Sequence, residues 1–473
     1  MPQPKFFRDP VHLQIRYDAV DLTKSLPADA DSDKRISWLV RKLVDCREFQ
    51  RLRHIRQNGL ANLVFHGAEH SRFSHSMGAA YLAREMFTRI ERNCDIPHDP
   101  DSKVTTSVAA LLHDIGHGPF SHTIEEILKT AGIDFDHEAM TERLLEEDNS
   151  EINQLLKSVD QSLPKQITYY ISKKRRRQAN LEERWHYRLV SSQLDADRLD
   201  YLLRDALFAG IKGGFDLSRL LDSLQQLDHK RIAVDRRSFV AVEAYLVMLD
   251  QMYRAVYYHH TIRAATVLLS STIRRAFELY RSGDKSIFPS ADRIGTHPLQ
   301  ALVDQGQKID LRQYVRLGEF QVWALIELWE NHPDDVLKEL ASRLLRRDLF
   351  KTIDVDAAQH KRLTQVMERA KELTKSALPH VTDKTIDYYV SLDEPDRTSY
   401  KRFDWRSEYP DESIWLVGEG RDPTPIDDNA QSKIVAALKD TKYFHRLILP
   451  KEVETKLHKD MKSDLEKLQK GKG

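Results

Sequence analysis

Cysteine is nearly absent. Two thiols, Cys46 and Cys94, in a chain of 473 residues exclude a disulfide framework, and their separation excludes a cysteine-based zinc site. Both are expected to be small core residues in a reducing compartment. Long apolar runs are missing as well. No stretch approaches the ~18 residues that a membrane span needs, and Met1 to Tyr17 lacks the charged-then-apolar pattern of a secretory signal. A cytoplasmic location with no membrane partner is therefore expected. Charge of one sign is also lacking: Lys plus Arg and Asp plus Glu both count 73. That balance excludes the bulk basic surface of a protein that coats nucleic acid or anionic lipid. Any anion site must be local.

What the chain does have is helical periodicity, and the length gives room for two or three domains with a sizeable core. Residues 4–17 alternate around a proline and read as a hairpin or edge strand, followed by a polar loop over 21–32. Leu39, Leu43, Phe49, Leu52 and Ile55 predict a helix over 36–56. Positions 75, 79, 82, 86 and 90 share one helical face, so His75 points inward among apolar residues. The next helix, capped by Asp101 or Ser102, runs to Gly116. Gly116 and Gly118 supply its terminating turn, and Pro119 opens another helix at a favoured first-turn position. The run KKRRR at 173–177 reads as solvated loop, with phosphate or nucleic-acid contact as the other reading. On the stretch 185–206, Leu199, Leu202, Leu203 and Ala206 form a packing face. A second stripe carries Val190, Leu194, Asp197, Tyr201 and Asp205.

A long helical pattern covers 240–281, a loop follows over 282–299, and helices resume from about 311 to 375. After Pro379 the texture changes: DYYVSL, SIWLVG and FHRLILP look like strands, and 451–470 repeats apolar residues as one terminal amphipathic helix. The fold class expected is mainly α with a small α/β C-terminal lobe. The divisions are an N-terminal hairpin and loop (1–35), a core (36–285), a helical extension (286–378) and the lobe with its terminal helix (379–473).

The polar residues inside this helical frame suggest chemistry. His75, the pair His113 and Asp114, and Asp197 lie on separate helices, 38 (113 minus 75) and 83 (197 minus 114) residues apart. Helical bundles build metal sites in this way, from inward side chains on facing helices. Mixed imidazole and carboxylate ligands suit Mn, Fe, Co, Ni or Zn and, less well, Mg. Such a cation can activate water for attack on phosphorus. His117 or His122, just past the pair, can protonate a leaving oxygen, and Glu125 can orient His122. Arg72, Arg198 and Arg53 can neutralise phosphate. Together these residues suggest a phosphohydrolase.

The segments QRLRHIRQNG, RFSHSMG, LLHDIGHGPFSH and DADRLDYLLRD resemble the HD-domain deoxynucleotide triphosphohydrolases. That group includes dGTPase-like enzymes and the vertebrate enzyme that joins a SAM domain to an HD domain. The resemblance covers Lys5 to about Asp205 well and implies an HD-domain helical bundle over 36–285. It implies His75, His113, Asp114 and Asp197 as metal ligands, and Arg72, His117 and Arg198 at the phosphates. His122 becomes the acid toward the 5′ oxygen, supported by Glu125 and His137. Gln57, Tyr201 and Asp205 match positions that read the sugar, and Tyr257 one that crowds its 2′ carbon. Asp45, Gln50 and Arg53 match a regulatory nucleotide site at a subunit interface; the other reading is that Gln50 and Arg53 bridge within the bundle. The implied reaction cleaves a dNTP to deoxynucleoside and inorganic triphosphate in a homo-oligomer, dimer or tetramer, that takes an activating nucleotide.

Three positions depart from the vertebrate pattern. Arg198 replaces a Lys, Asn58 replaces an apolar residue against the sugar, and 249–253 lacks an Arg and a His that contact phosphate and base. The alternatives are an HD enzyme acting on another phosphoester or a nucleic-acid end, and a non-catalytic nucleotide-binding scaffold.

Overall fold

A two-stranded antiparallel hairpin, β1 (Lys5–Asp9) and β2 (Leu13–Tyr17), opens the chain and turns Ile15 and Tyr17 inward. The computed structural model describes residues 2–27, 29–289, 295–356, 358–394, 413–418, 420–426 and 444–470, with Val435 and Leu438. Helix α1 (Ser32–Leu43) is capped by Asp31, whose carboxylate accepts the Lys34 N–H at 2.8 Å. It does not run on to residue 56 as its apolar spacing predicts. The chain breaks and resumes as two short turns, Arg47–Gln50 and Arg51–His54. The break turns Arg51 inward, where its guanidinium donates to the carbonyls of Ile115 at 2.6 Å and His117 at 2.8 Å.

The inner wall is α2 (Arg72–Cys94), on which His75, Ala79, Leu82, Met86 and Ile90 are all fully buried. It packs on α3 (Pro100–Leu112), which is buried from Ser102 to its end. The cap of α3 is Asp99, two or three residues earlier than expected, because Pro100 takes the first helical position. Helix α4 (His122–Thr130) starts three residues after Pro119, since Phe120 and Ser121 stand in left-handed backbone, φ 58° and 55°. Those two residues, not Gly116 and Gly118, carry the unusual backbone of this turn. Gly116 is needed for space: a Cβ there would lie 2.2 Å from the His137 carbonyl and 2.4 Å from Thr141 N, on α5 (His137–Glu146).

The basic run is no loop. It forms α6 (Lys173–Gln178), in which Arg176 is fully buried, bonded to Glu183 at 3.0 Å and lying over the Tyr187 ring. Its neighbour Arg175 pairs with Glu146 at 2.7 Å. Helix α7 (Ala196–Ala209) begins after Asp195, whose side chain caps it. Val190 and Leu194, placed on its stripe by spacing, therefore precede the helix. The pattern over 240–281 divides into α8 (Phe239–Met252), a π-helical turn (Tyr253–Tyr257) and α9 (His260–Arg281). His259 makes the break by using its own ring to accept the Thr261 N–H.

Among the described residues two further sheets are formed. The hairpin β3 (Leu224–Gln226) and β4 (Ile232–Asp235) belongs to the core. Strand β5 (Lys351–Val355) interrupts the helical run expected over 311–375, and only the end of DYYVSL is extended, as β6 (Ser391–Asp393). Next come β7 (Trp415–Gly418), β8 (Arg421–Pro425) and β9 (His445–Leu449). β7 pairs in parallel with β4, giving the order β3-β4-β7-β8, while β5-β9-β6 is antiparallel. The tail is two helices, α10 (Lys451–Asp460) and α11 (Lys462–Lys470), broken at Met461. Residues 290–294 of the expected 282–299 loop lie outside the described residues. Among the described residues no helix is long and apolar enough to cross a membrane. The fold is mainly helical.

Candidate active site

Four side chains meet where three helices approach one another: His75 in the first turn of α2, His113 and Asp114 at the end of α3, and Asp197 at the start of α7. The end of α3 is what lets two consecutive residues face one point. His75 Nε2 lies 3.4 Å from His113 Nε2 and 3.0 Å from Asp197 Oδ1, which is 3.5 Å from His113 Nε2. Asp114 Oδ1 lies 3.4 Å from His113 Nε2, and its Oδ2 3.8 Å from His75 Nε2. Asp197, with a side chain 34% exposed, forms the mouth, and His75, at 0%, the floor.

Partners behind the rings set their tautomers. His75 Nδ1 donates to Asp200 at 2.8 Å, and His113 Nδ1 donates to the Ala110 carbonyl at 2.8 Å. Both Nε2 lone pairs then face one another beside two carboxylates. That is repulsive without a cation among them, so the donor set of His75, His113 and Asp197 fits a divalent metal ion, with the Asp114 carboxylate beside it, 3.4 Å from His113. Burial works against charging His75, but hydrogen bonds to Asp197 and Asp200 outweigh it and push its pKa up to about 10. Burial likewise opposes ionisation of Asp114, yet Arg72 first, then His113 and His117, hold it well below the carboxylate range. Arg72 Nη1 donates to Asp114 directly, and its Nε donates to Ser121 Oγ at 3.0 Å.

A second cluster adjoins the first through Asp114, whose Oδ1 is 3.4 Å from His117 Nε2. The His117 ring stacks on His137 at 4.0 Å between centroids, and His122 stands edge-on to both, at 4.9 and 5.0 Å. Glu125 accepts from His137 Nδ1 at 2.6 Å and lies 3.9 Å from His122 Nδ1. The surroundings of the three imidazoles shift their proton affinities in different directions. Burial, with the nearby charges of Arg72 and His137, holds His117 far below its ordinary value. Burial also lowers His122, against its bond to Glu125. In His137 the bond to Glu125 overcomes burial, and the pKa rises.

Of the expected sugar residues, Asp205 is buried and already engaged: His70 Nε2 donates to Oδ1 and the Tyr257 hydroxyl to Oδ2, both at 2.7 Å. Tyr201 stands between the His75 and Tyr257 rings, 6.4 and 6.3 Å away. Gln57 Oε1 and Asn58 Nδ2 are buried atoms without a partner. Arg198 Nε donates to the Ser192 carbonyl at 3.0 Å. Asp45 is exposed, whereas Gln50 and Arg53 bind each other: Arg53 Nε donates to Gln50 Oε1 at 2.9 Å and its guanidinium lies over Phe73. Gln50 also lines a cavity of about 510 Å³ with Arg47, Arg51 and Arg316.

Sequence reasoning missed the residues behind the ligands. Asp200 is fully buried, with Arg204 on both oxygens, at 2.8 and 2.9 Å, and His12 on Oδ1 at 2.7 Å. The i, i+3 step from Asp197 to Asp200 and the i, i+4 step to Arg204 were available as a signal. The 188-residue reach back to His12 was not.

Two family models match the chain. The HD domain matches residues 72–202, and the HD associated region matches residues 215–301. The uncharacterized protein YwfO of Bacillus subtilis is 35% identical over 356 residues, covering 75% of this chain and 73% of that one. The crystal structure of a phosphohydrolase from Bacteroides thetaiotaomicron is similar, with a TM-score of 0.72 and 26% identity. The match covers 94% of this chain and 100% of that one. The chain belongs to the HD-domain phosphohydrolase family, whose members bind divalent metals. A more distant relative is the deoxynucleoside triphosphate triphosphohydrolase SAMHD1 of Gallus gallus, 29% identical over 239 residues. That match spans 46% of this chain and 36% of the relative.

Proposed function

We propose that the phosphoester cleaved is the one joining a deoxynucleoside 5′ oxygen to its triphosphate. The observation that carries this reading is the pair of adjoining clusters, one able to hold a metal ion and the other made of three imidazoles and a carboxylate. The likeness to SAMHD1 supports the substrate class. A divalent cation bound by His75, His113, Asp114 and Asp197 supplies Lewis acidity and lowers the pKa of water. Arg72 and Arg198 bind phosphate oxygens and orient the α-phosphorus. Water adds at phosphorus, the bond to the 5′ oxygen breaks, His122 gives that oxygen its proton, and the proton released by the attacking water passes to solvent, from which His122 is reprotonated. Glu125 holds His122 and His137 in place during this transfer. The bound phosphates also counter the charges of Arg72 and His137, which add to burial in depressing His122.

Gln57, Tyr201, Asp205 and Tyr257 form the sugar side of this pocket in the proposal, with Asn58 beside them. The cavity lined by Gln50 takes the activating nucleotide, in a homo-oligomer. The basic run offers a nucleic-acid substrate fewer cations than its sequence suggests, since Arg176 is buried and Arg175 is paired, while Lys174 and Arg177 stand exposed. The test is incubation with each dNTP and Mn or Mg, with and without a second nucleotide, in ¹⁸O-water. Deoxynucleoside plus labelled triphosphate is expected. Failure to form them with any metal or activator overturns the reading.

A further inference from the structure

The N-terminal hairpin lies outside the residues matched by the HD domain, yet it reaches the floor of the metal centre. His12 sits in the turn between β1 and β2, and its side chain is 2% exposed. Its Nε2 donates to Asp200 Oδ1 at 2.7 Å, and Asp200 Oδ2 accepts from His75 Nδ1 at 2.8 Å. The turn that presents His12 is itself clasped. Asp9 Oδ1 accepts the backbone N–H groups of Val11 and His12, both at 2.9 Å, and Asp9 Oδ2 pairs with Arg204 at 2.9 Å. Arg204 completes the circuit by binding both oxygens of Asp200. Gly78 leaves room for it, since a Cβ there would lie 1.9 Å from Asp200 Oδ1.

We propose that His12 is a positioning residue of the metal centre: through Asp200 it fixes the orientation of the His75 ring and so the direction of the Nε2 that binds the metal. A carboxylate gripped by Arg204 at both oxygens and by His12 from a second element resists rocking. A ligand imidazole bonded to such a carboxylate keeps its lone pair aimed, and loss of such a partner typically costs ~10–100-fold in metal affinity. Removing His12 leaves Asp200 held by the guanidinium of Arg204 alone, about which the Asp200–His75 pair can rock. This inference rests on the metal centre assigned above.

Titration of the metal-free protein with Co(II), read by its visible absorption and by competition with a chelator, tests it. His12→Ala is expected to bind Co(II) ~10–100-fold more weakly, with an altered band pattern. His12→Gln, whose amide can place an N–H near the position of Nε2, is expected to restore both. Ile15→Ala, which weakens the hairpin from a buried apolar position, is expected to lower thermal stability and leave Co(II) affinity unchanged. Wild-type affinity and spectrum in a folded His12→Ala overturn the proposal, as does an equal loss of affinity in Ile15→Ala. If His12→Ala does not fold, His12→Asn, too short to reach Asp200, replaces it, and equal affinity in His12→Asn and His12→Gln is the overturning result. Failure of the metal centre itself looks different, because the wild-type protein then binds no Co(II).

Discussion

Asp114 is the residue on which both clusters depend. One of its oxygens faces His113 and His117, and the other faces Arg72 and His75. Asp114→Asn keeps the shape and removes the charge, so both the cation and Arg72 lose their anionic partner. Phosphohydrolase activity is expected to fall at least ~100-fold together with bound metal, measured by turnover and by elemental analysis on the same preparation. Glu125 supports a prediction about pH. Burial pushes its carboxyl up, but the hydrogen bonds from His122 and His137 prevail and bring it from 4.5 down to about 2. A depressed carboxylate stabilises the folded state above its unfolded pKa and loses that contribution as pH falls through the folded value. The window is therefore pH 4.5 to 2, and the contribution is about 3 kcal/mol at most. Glu125→Gln is expected to lower the urea midpoint at pH 6 and to converge with the parent protein near pH 2.

At the scale of elements, the turn between α3 and α4 is packed too closely for a side chain at Gly116. Gly116 lies against the first turn of α5, and a methyl group there must push that turn aside. Gly116→Ala is expected to cost about 1–3 kcal/mol in chemical denaturation and to loosen the stacking of His117 on His137, seen as a changed pH dependence of turnover. This region also shows what the sequence makes readable. His75 and Asp197 stand at helix positions whose direction follows from a 3.6-residue period, while His113 and Asp114 follow the last helical residue of α3, an end that Gly116 marks in the sequence. The start of α4 cannot be read in this way, because Pro119 satisfies the rule for a first-turn residue while the left-handed Phe120 and Ser121 are not visible in composition. Arg176 is hidden for another reason. Five consecutive cationic residues look solvated, and only the tertiary neighbours Glu183 and Tyr187 distinguish the one that is buried. His12 belongs to the same class, since its partner Asp200 lies on an element far along the chain.

For the whole molecule, Arg51 links two places that could influence one another. It lines the cavity beside Gln50, Arg47 and Arg316 and also holds the carbonyls of Ile115 and His117 in the turn of the active site. If an activating nucleotide binds in that cavity, Arg47→Glu replaces an attractive charge with a repulsive one. The concentration giving half-maximal activation is then expected to rise ~10–100-fold while the unstimulated rate stays unchanged, a comparison made by titrating the activator at saturating substrate. An unchanged half-maximal concentration, or an equal fall in the stimulated and unstimulated rates, overturns the assignment of the cavity.

The parallel pairing of β4 with β7 has a further consequence during synthesis. Strand β4 ends at Asp235 and its partner begins at Trp415, so 415 minus 235, or 180 residues, must be made before the edge is covered. At about 5–20 residues per second this takes roughly 10–40 s. Throughout that interval the nascent chain carries the inner half of a sheet, with Ala233 and Val234 destined for burial, and an open row of backbone donors and acceptors. The ribosome-bound protein therefore needs a transient cover for β4, from its own helices or from a chaperone, and a stop codon placed before residue 415 leaves a chain that tends to join other strands edge to edge.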